Sequence, residues 1–290
     1  IIGPNDTNCV TVHAGATGVF TLTLEVCNEL TDAIVAQQDL LAGCCATCDL
    51  EVTVEECGTF CSFTQGFWGN KGGKACDGTK TEDLIEALLG YGDVVVGVVG
   101  ENSITLNSVD CIIQRLPAGG TPMPLPDIGD VTDTCNAASN TTLADILNKQ
   151  KRYNNVLIGQ VVALTLNLRL YEYGCDEDGG DLAGWTLPDE FCTIGEDGCP
   201  EKFEIPEPLQ GMMVGELLAL ANDYLAGVPD GVDVSDLYKA VTAINEGFDE
   251  CREVVDCPTE EICDNGCDDD FDGDVDCADE DCDADPACAG

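Results

Sequence analysis

The segment Val156-Leu-Ile-Gly-Gln-Val-Val-Ala-Leu-Thr-Leu-Asn-Leu-Arg-Leu170 is apolar around most of its circumference, broken by strongly polar side chains only at Gln160, Asn167 and Arg169. A helix that is apolar all round belongs in the centre of a core or in a membrane. Three strongly polar residues in so short a run favour the core, because a span needs about 18–20 nearly continuous apolar residues. Val94 to Val99 is shorter still. No membrane insertion is expected, and the segment predicts a central buried helix.

The patterns around it extend the helical reading. Thr79-Lys-Thr-Glu82 has the form of a capping box ahead of Leu84, Ile85, Leu88 and Leu89, with Gly90 as the stop. Thr142, with Asp145 three residues on, predicts a helix start before Leu143, Ile146 and Leu147. Met213, Leu217, Leu220, Tyr224 and Leu225 form a stripe ended by Gly227; Leu237, Val241, Ile244 and Phe248 form another, following Ser235. Residues 117–126 read as a proline-rich loop and 176–181 as an acidic one. Residues 61–257 are therefore expected to be a mainly helical domain.

Residues 1–60 read differently. Phe20, Leu22, Leu24 and Val26 alternate with Thr21, Thr23 and Glu25; Leu50, Val52 and Val54 alternate with Glu51, Thr53 and Glu55. Period-two patterning predicts half-buried antiparallel strands. Thr31 to Leu41 is a candidate helix between them. His13 lies in a Thr/Val/Gly stretch and reads as an ordinary strand residue. Two or three strands make an incomplete sheet, and Ile1-Ile2 with Val10-Thr-Val12 has the apolar character of an assembly arm over residues 1–12.

The chain of 290 residues carries 56 acids against 11 Lys plus Arg, a net charge of −45, with 44% apolar residues and 20 cysteines. So acidic a chain is repelled by nucleic acid and by anionic membranes, and it attracts cations. The apolar content argues against disorder. Twenty cysteines and a single histidine, His13, point to disulfides in an oxidising compartment rather than to zinc, although Cys45-Ala-Thr-Cys48 and Cys57-Gly-Thr-Phe-Cys61 have ligand-like spacing. Connectivity cannot be deduced from spacing. Ile1-Ile2-Gly3-Pro4 lacks a basic n-region and is read as a mature end after cleavage. Asn5-Asp6-Thr7 and Asn140-Thr141-Thr142 are glycosylation sequons.

Residues 258–290 hold 14 acids, five cysteines and no Lys or Arg. Taking Asp268 as position 1 of a twelve-residue calcium loop puts Asp270 at 3, Asp272 at 5, Gly273 at the sharp turn, the Asp274 carbonyl at 7, Asp276 at 9 and Asp279 at 12. Hard oxygen ligands two residues apart, folded by a glycine, are what Ca2+ requires. Asp279 reaches less far than the usual glutamate. Asp281, with Asp283 and Asp285, is a candidate for a second ion. Asp176-Glu-Asp178 and Glu196-Asp197 fit either further calcium sites or solvated loops. Gly90-Tyr-Gly92 mimics a dinucleotide turn, but the order is helix then strand.

The run Cys263-Asp-Asn-Gly-Cys-Asp-Asp-Asp-Phe-Asp-Gly-Asp-Val-Asp-Cys277-Ala-Asp-Glu-Asp-Cys282 resembles the calcium-binding repeat near the ends of large secreted bacterial proteins, similar in logic to thrombospondin type 3 repeats. Cys267 stands where that family has an apolar residue, and Phe271 where it has a glycine. The resemblance implies an extra disulfide, one tail cysteine pairing outside, to Cys251 or Cys257. Upstream, Thr64-Gln-Gly-Phe-Trp68-Gly-Asn70 resembles a bacterial surface-protein signature, and Leu157 to Asn167 the helix that follows it there. This resemblance implies an extracellular, cell-surface context and carries no catalytic residues. Phe67 and Trp68 read as core anchors rather than a sugar-stacking platform.

The expected fold is α+β: a small N-terminal antiparallel β region, a central mainly helical region and an irregular disulfide-rich calcium-binding tail over 258–290. The expected function is a non-enzymatic, secreted, calcium-stabilised structural subunit of a filament or surface layer. It is joined to copies of itself by strand addition. A calcium-dependent adhesin taking polysaccharide is the alternative, and a secreted hydrolase ranks last.

Overall fold

The computed structural model describes residues 18–27, 45–54, 60–75, 77–170, 181–195, 197–228, 231–282 and 285–288, with side chains from Phe60 onward. The chain divides into two units, 1–57 and 58–290. The fold class is α+β, as the patterning implies.

In the first unit, β1 (Gly18–Cys27) pairs antiparallel with β2 (Cys45–Val54). The register runs from Gly18 opposite Val54 to Cys27 opposite Cys45, setting Phe20 against Val52 and Leu22 against Leu50. Among the described residues neither strand has another neighbour. The candidate arm at 1–12, His13, Asn5 and the candidate helix over 31–41 lie outside the described residues.

The second unit is organised around α5 (Val156–Asn167), in which every residue from Leu157 to Asn167 is buried. It packs against α6 (Val214–Ala226), α7 (Val234–Gly247), β3 (Val94–Gly97) and the short α1 (Gln65–Trp68). The last two long helices form where their stripes predicted, because Leu217, Ala221 and Leu225 share one face and Leu237, Val241 and Ile244 another, all fully buried. Gly159 lets α1 approach α5. A Cβ there would sit 2.2 Å from the Gln65 Oε1 and 2.6 Å from the Ala118 Cβ.

Two helix starts differ from expectation. Helix α2 (Thr81–Leu89) begins after Lys80, not at Thr79, whose hydroxyl and amide are both engaged with Asp77, at 2.7 Å each. Thr142 ends α4 (Ala137–Thr142) instead of opening a helix. Its hydroxyl donates back to the Ala138 carbonyl, and the cap is Asn136, whose Oδ1 accepts from the Ser139 amide at 2.9 Å. α3 (Val109–Arg115) completes the helices of this unit among the described residues.

Two small sheets accompany the helices. β3 pairs antiparallel with β4 (Ser103–Leu106), which pairs parallel with β5 (Asp130–Asp133). β6 (Glu190–Ile194) lies between β7 (Pro200–Glu204) and the two-residue β8 (Val254–Val255), both antiparallel. Phe60, Trp185, Phe191 and Phe248 meet under this second sheet with ring centroids 5.1–5.6 Å apart.

The signature around Trp68 is built into the core. The Trp68 indole donates to the Asn167 Oδ1 at 3.1 Å, an oxygen that also accepts from the Phe63 amide at 2.9 Å. The Asn167 amide nitrogen donates to the Phe63 carbonyl and to the Asn245 Oδ1, and Asn245 donates in turn to Gln160. Gln160 and Asn167 of the central segment thus both meet Asn245 of α7 and are satisfied, whereas Arg169 donates to the Leu88, Gly92 and Asp93 carbonyls. Arg115 and Asp133 form a second buried polar knot, with no exposed surface. Asp133 also accepts from Tyr153, and Arg115 donates to the Asn140 Oδ1 and the Lys151 carbonyl. The Asn140 amide nitrogen donates to the Cys135 carbonyl at 3.2 Å, so this sequon asparagine is tied into the fold.

Each of the twelve cysteines with a described side chain is in a disulfide: Cys61–Cys251, Cys111–Cys135, Cys192–Cys257, Cys199–Cys267, Cys263–Cys282 and Cys277–Cys288. One tail cysteine does pair outside the tail, but Cys199 is its partner. Cys251 and Cys257 are already bonded to Cys61 and Cys192. Among the described residues no helix is long and apolar enough to cross a membrane.

Candidate metal centre

The acidic tail has little regular structure beyond short 3-10 turns, and it is ordered by its own side chains. Four aspartates, Asp268, Asp270, Asp272 and Asp279, each turn one oxygen toward a backbone amide two to five residues on. The Asp268 Oδ2 accepts from Gly273 at 3.1 Å, the Asp270 Oδ1 from Asp272 at 3.2 Å, the Asp272 Oδ1 from Asp274 at 2.9 Å and the Asp279 Oδ1 from Asp281 at 2.6 Å. Alternating aspartates thereby wrap the backbone into a loop. Gly273 takes φ +101°, a conformation side chains disfavour, which is why the turn needs glycine. Phe271 takes φ +66° where the resembling repeat has glycine, and its ring lies 5.7 Å from the Lys202 ammonium of β7.

Carboxylate oxygens of the loop converge. One carboxylate oxygen each of Asp270, Asp272 and Asp279 lie within 4.8 Å of one another, and so do one each of Glu261, Asp268 and Asp270. Oxygens around a calcium ion at 2.3–2.6 Å can be no more than about 5 Å apart, so both groups fit one coordination sphere in size. The Asp268 Oδ1 and the Asp279 Oδ2 are buried and have no hydrogen-bond partner, although Asp279 is only 3% exposed. A buried, unpaired carboxylate oxygen is costly without a cation or donor to meet it.

The electrostatics agree. Desolvation and the charges of Asp272, Asp279 and Glu261 raise the Asp270 carboxyl above its ordinary pKa. At Asp279 the Asp281 amide lowers the pKa, but desolvation and the charges of Asp272, Asp281 and Glu261 outweigh it, and the carboxyl is raised. Like charges crowd here, and a cation among them would relieve the repulsion.

The positions taken from the sequence fall into two sets. Asp268, Asp270, Asp272 and Asp279 come together. Asp276 belongs to neither group, and its Oδ1 accepts from the Asn265 and Gly266 amides at 3.0 Å each. The Asp274 side chain is exposed, in keeping with a position expected to offer its carbonyl, and Asp281 is exposed and belongs to neither carboxylate group. Of the suggested second ion's ligands, Asp283 lies outside the described residues and the Asp285 Oδ1 accepts from Ala287. Asp176, Asp178 and Glu196 also lie outside them.

Glu261 was missed, since it lies outside the twelve-residue template and nothing in its local spacing marks it. It is 9% exposed. Its Oε2 accepts from the Asp269 amide at 2.8 Å and its Oε1 from the Asp276 amide at 2.7 Å, bracing the loop across its width. A third group, Cys111, Asp133 and Cys135, has metal-like proximity, but its cysteines are bonded to each other and Asp133 is held by Arg115.

The loop is fastened to the rest of the unit. Cys267, immediately before Asp268, is bonded to Cys199 in the turn between β6 and β7, and Cys257 is bonded to Cys192 within β6. No family model, curated protein or solved structure matches the chain.

Proposed function

We propose that the protein is a non-catalytic, extracellular structural subunit whose acidic tail is held in shape by calcium and whose copies join by strand addition. The observation that carries the calcium reading is the pair of buried, unpartnered oxygens, the Asp268 Oδ1 and the Asp279 Oδ2, among converging carboxylates. All-oxygen, anionic donors of this kind suit a hard cation rather than zinc or copper. At millimolar calcium and a ~10 µM site, mass action stabilises the folded state by roughly 2.7 kcal/mol per ion.

The pairing of every described cysteine side chain supports an oxidising location outside the cell. Assembly is supported by the first unit. A sheet of two ten-residue strands, each with one neighbour among the described residues, is of the kind that a further strand extends at its edge. The apolar residues Ile1, Ile2, Val10 and Val12 of another copy are the proposed donor.

Negative-stain microscopy of purified protein with and without calcium tests both parts. Regular polymers that vanish on deleting residues 1–12 are expected. Polymers that persist without them overturn strand addition, and a melt unchanged by chelator, with no calcium in elemental analysis, overturns the calcium reading.

A further inference from the structure

We propose that Glu261, seven residues ahead of the loop, is itself a ligand of the cation held by Asp268 and Asp270. The proposal rests on the calcium reading above and adds to it a donor from outside the twelve-residue loop.

Calcium takes six to eight oxygens, and this loop supplies fewer than its pattern promises. Asp276, at position 9, lies in neither group of converging carboxylates. At position 12 Asp279 is one methylene shorter than glutamate, and one of its oxygens is held by the Asp281 amide. Glu261 makes up the deficit with the longer side chain that position 12 lacks. One of its oxygens lies within 4.8 Å of oxygens of both Asp268 and Asp270.

Its geometry is that of a preorganised ligand. The two carboxylate oxygens are fixed by amides on opposite sides of the loop, those of Asp269 and Asp276. Each oxygen keeps a second lone pair for a cation. Little side-chain freedom is left to lose on binding. An acid 9% exposed, set against Asp268 and Asp270, is unfavourable in the absence of positive charge. An independent sign that the pocket receives a cation comes from Asp279, which is 3% exposed and whose Oδ2 has no partner, and from the equally unpartnered Asp268 Oδ1. Asp270 belongs to both carboxylate groups and links Glu261 to Asp279. The ligand class is a hard cation of calcium's size, for which terbium is a luminescent stand-in.

The test uses the full chain and its Glu261→Gln variant, with Glu260→Gln as the control, since Glu260 is exposed and carries the same charge. Terbium affinity is measured by luminescence titration, and bound water is counted from lifetimes in H2O and D2O. Glu261→Gln is expected to weaken binding roughly 10- to 100-fold, the scale on which groups around a metal act, and to raise the bound-water count by about one. Glu260→Gln is expected to do neither. An affinity equal to the control's overturns the proposal, and so does weaker binding with an unchanged water count, which would make Glu261 a brace and not a ligand. Should Glu261→Gln bind no terbium, the water count of Glu261→Asp decides: one water more supports the proposal, and an unchanged count overturns it. If the unaltered protein binds neither terbium nor calcium, it is the calcium reading that fails.

Discussion

Cys267, the residue before the first loop aspartate, is covalently bonded to Cys199 in the turn joining β6 and β7. The acidic loop is thus anchored at its first position to a sheet that belongs to the main core. With Cys192–Cys257 in place, the ring closed by this bond comprises only eight residues on one side and eleven on the other. Chain-entropy reasoning then gives about 3 kcal/mol for it, rather than the figure above 4 that its full sequence separation implies. Cys199→Ala/Cys267→Ala should lose about 3 kcal/mol in urea unfolding and bind calcium more weakly, as read by titration calorimetry.

Asp279 is expected to change the sign of its effect with calcium. Asp279→Asn removes one of several crowded like charges, so under chelator the variant should melt no lower than the unaltered chain. In millimolar calcium it should melt lower, because a ligand is lost. Paired thermal melts with and without chelator check this, and lower melting in both conditions would contradict it.

Asp249 predicts a pH dependence away from the loop. Burial pushes its carboxyl up to about 6, against the Thr64 amide, which lowers it, while the charges of Glu250 and Glu246 add to the rise and Arg252 opposes it. A carboxyl with a raised native pKa binds its proton more tightly folded than unfolded. Its contribution is therefore largest below about pH 4 and is lost as the pH rises toward 6. The loss is on the order of 1–2 kcal/mol after allowance for its partial exposure. Asp249→Asn keeps an acceptor for Thr64 and should be more stable than the unaltered chain above pH 6, with the difference shrinking by pH 4.5. Urea midpoints at the two pH values measure it.

The Arg115–Asp133 pair should behave as a unit. Desolvation raises the Asp133 carboxyl, yet the bonds from Arg115 and the Cys135 amide more than offset this and leave it below its ordinary value. Arg115→Met strands a buried carboxylate and should cost about 3–5 kcal/mol. Arg115→Met/Asp133→Leu should cost less than that single change, by the same urea measurement.

Much of this arrangement was legible beforehand, for reasons that residues make plain. Helices α6 and α7 were found because thirteen or more residues repeat their apolar positions at helical spacing, and α5 because twelve residues are apolar nearly all round. β3 and β4 are four residues long and buried on both faces, so they carry no period-two signal. Thr79 and Thr142 misled because a hydroxyl caps a helix only from the N-cap position, and Thr79 lies one residue before that position while Thr142 lies at the far end of α4. In the tail, the aspartate spacing identified the carboxylates that converge. It could not show that Asp276 stays out of both carboxylate groups, nor that Glu261 comes within reach of Asp268, because both depend on how the chain folds back before the loop begins.

The Cys61–Cys251 bond closes a ring around nearly the whole helical unit, at a sequence separation of 190. A pull applied at Phe60 and Arg252 would pass through one sulfur–sulfur bond, leaving α1 to α7 and strands β3 to β7, all inside the ring, out of the line of force. The helical core would then feel no tension while its flanking segments are stretched. In a polymer exposed to flow or shear, the subunit would yield outside this ring long before its interior was drawn apart.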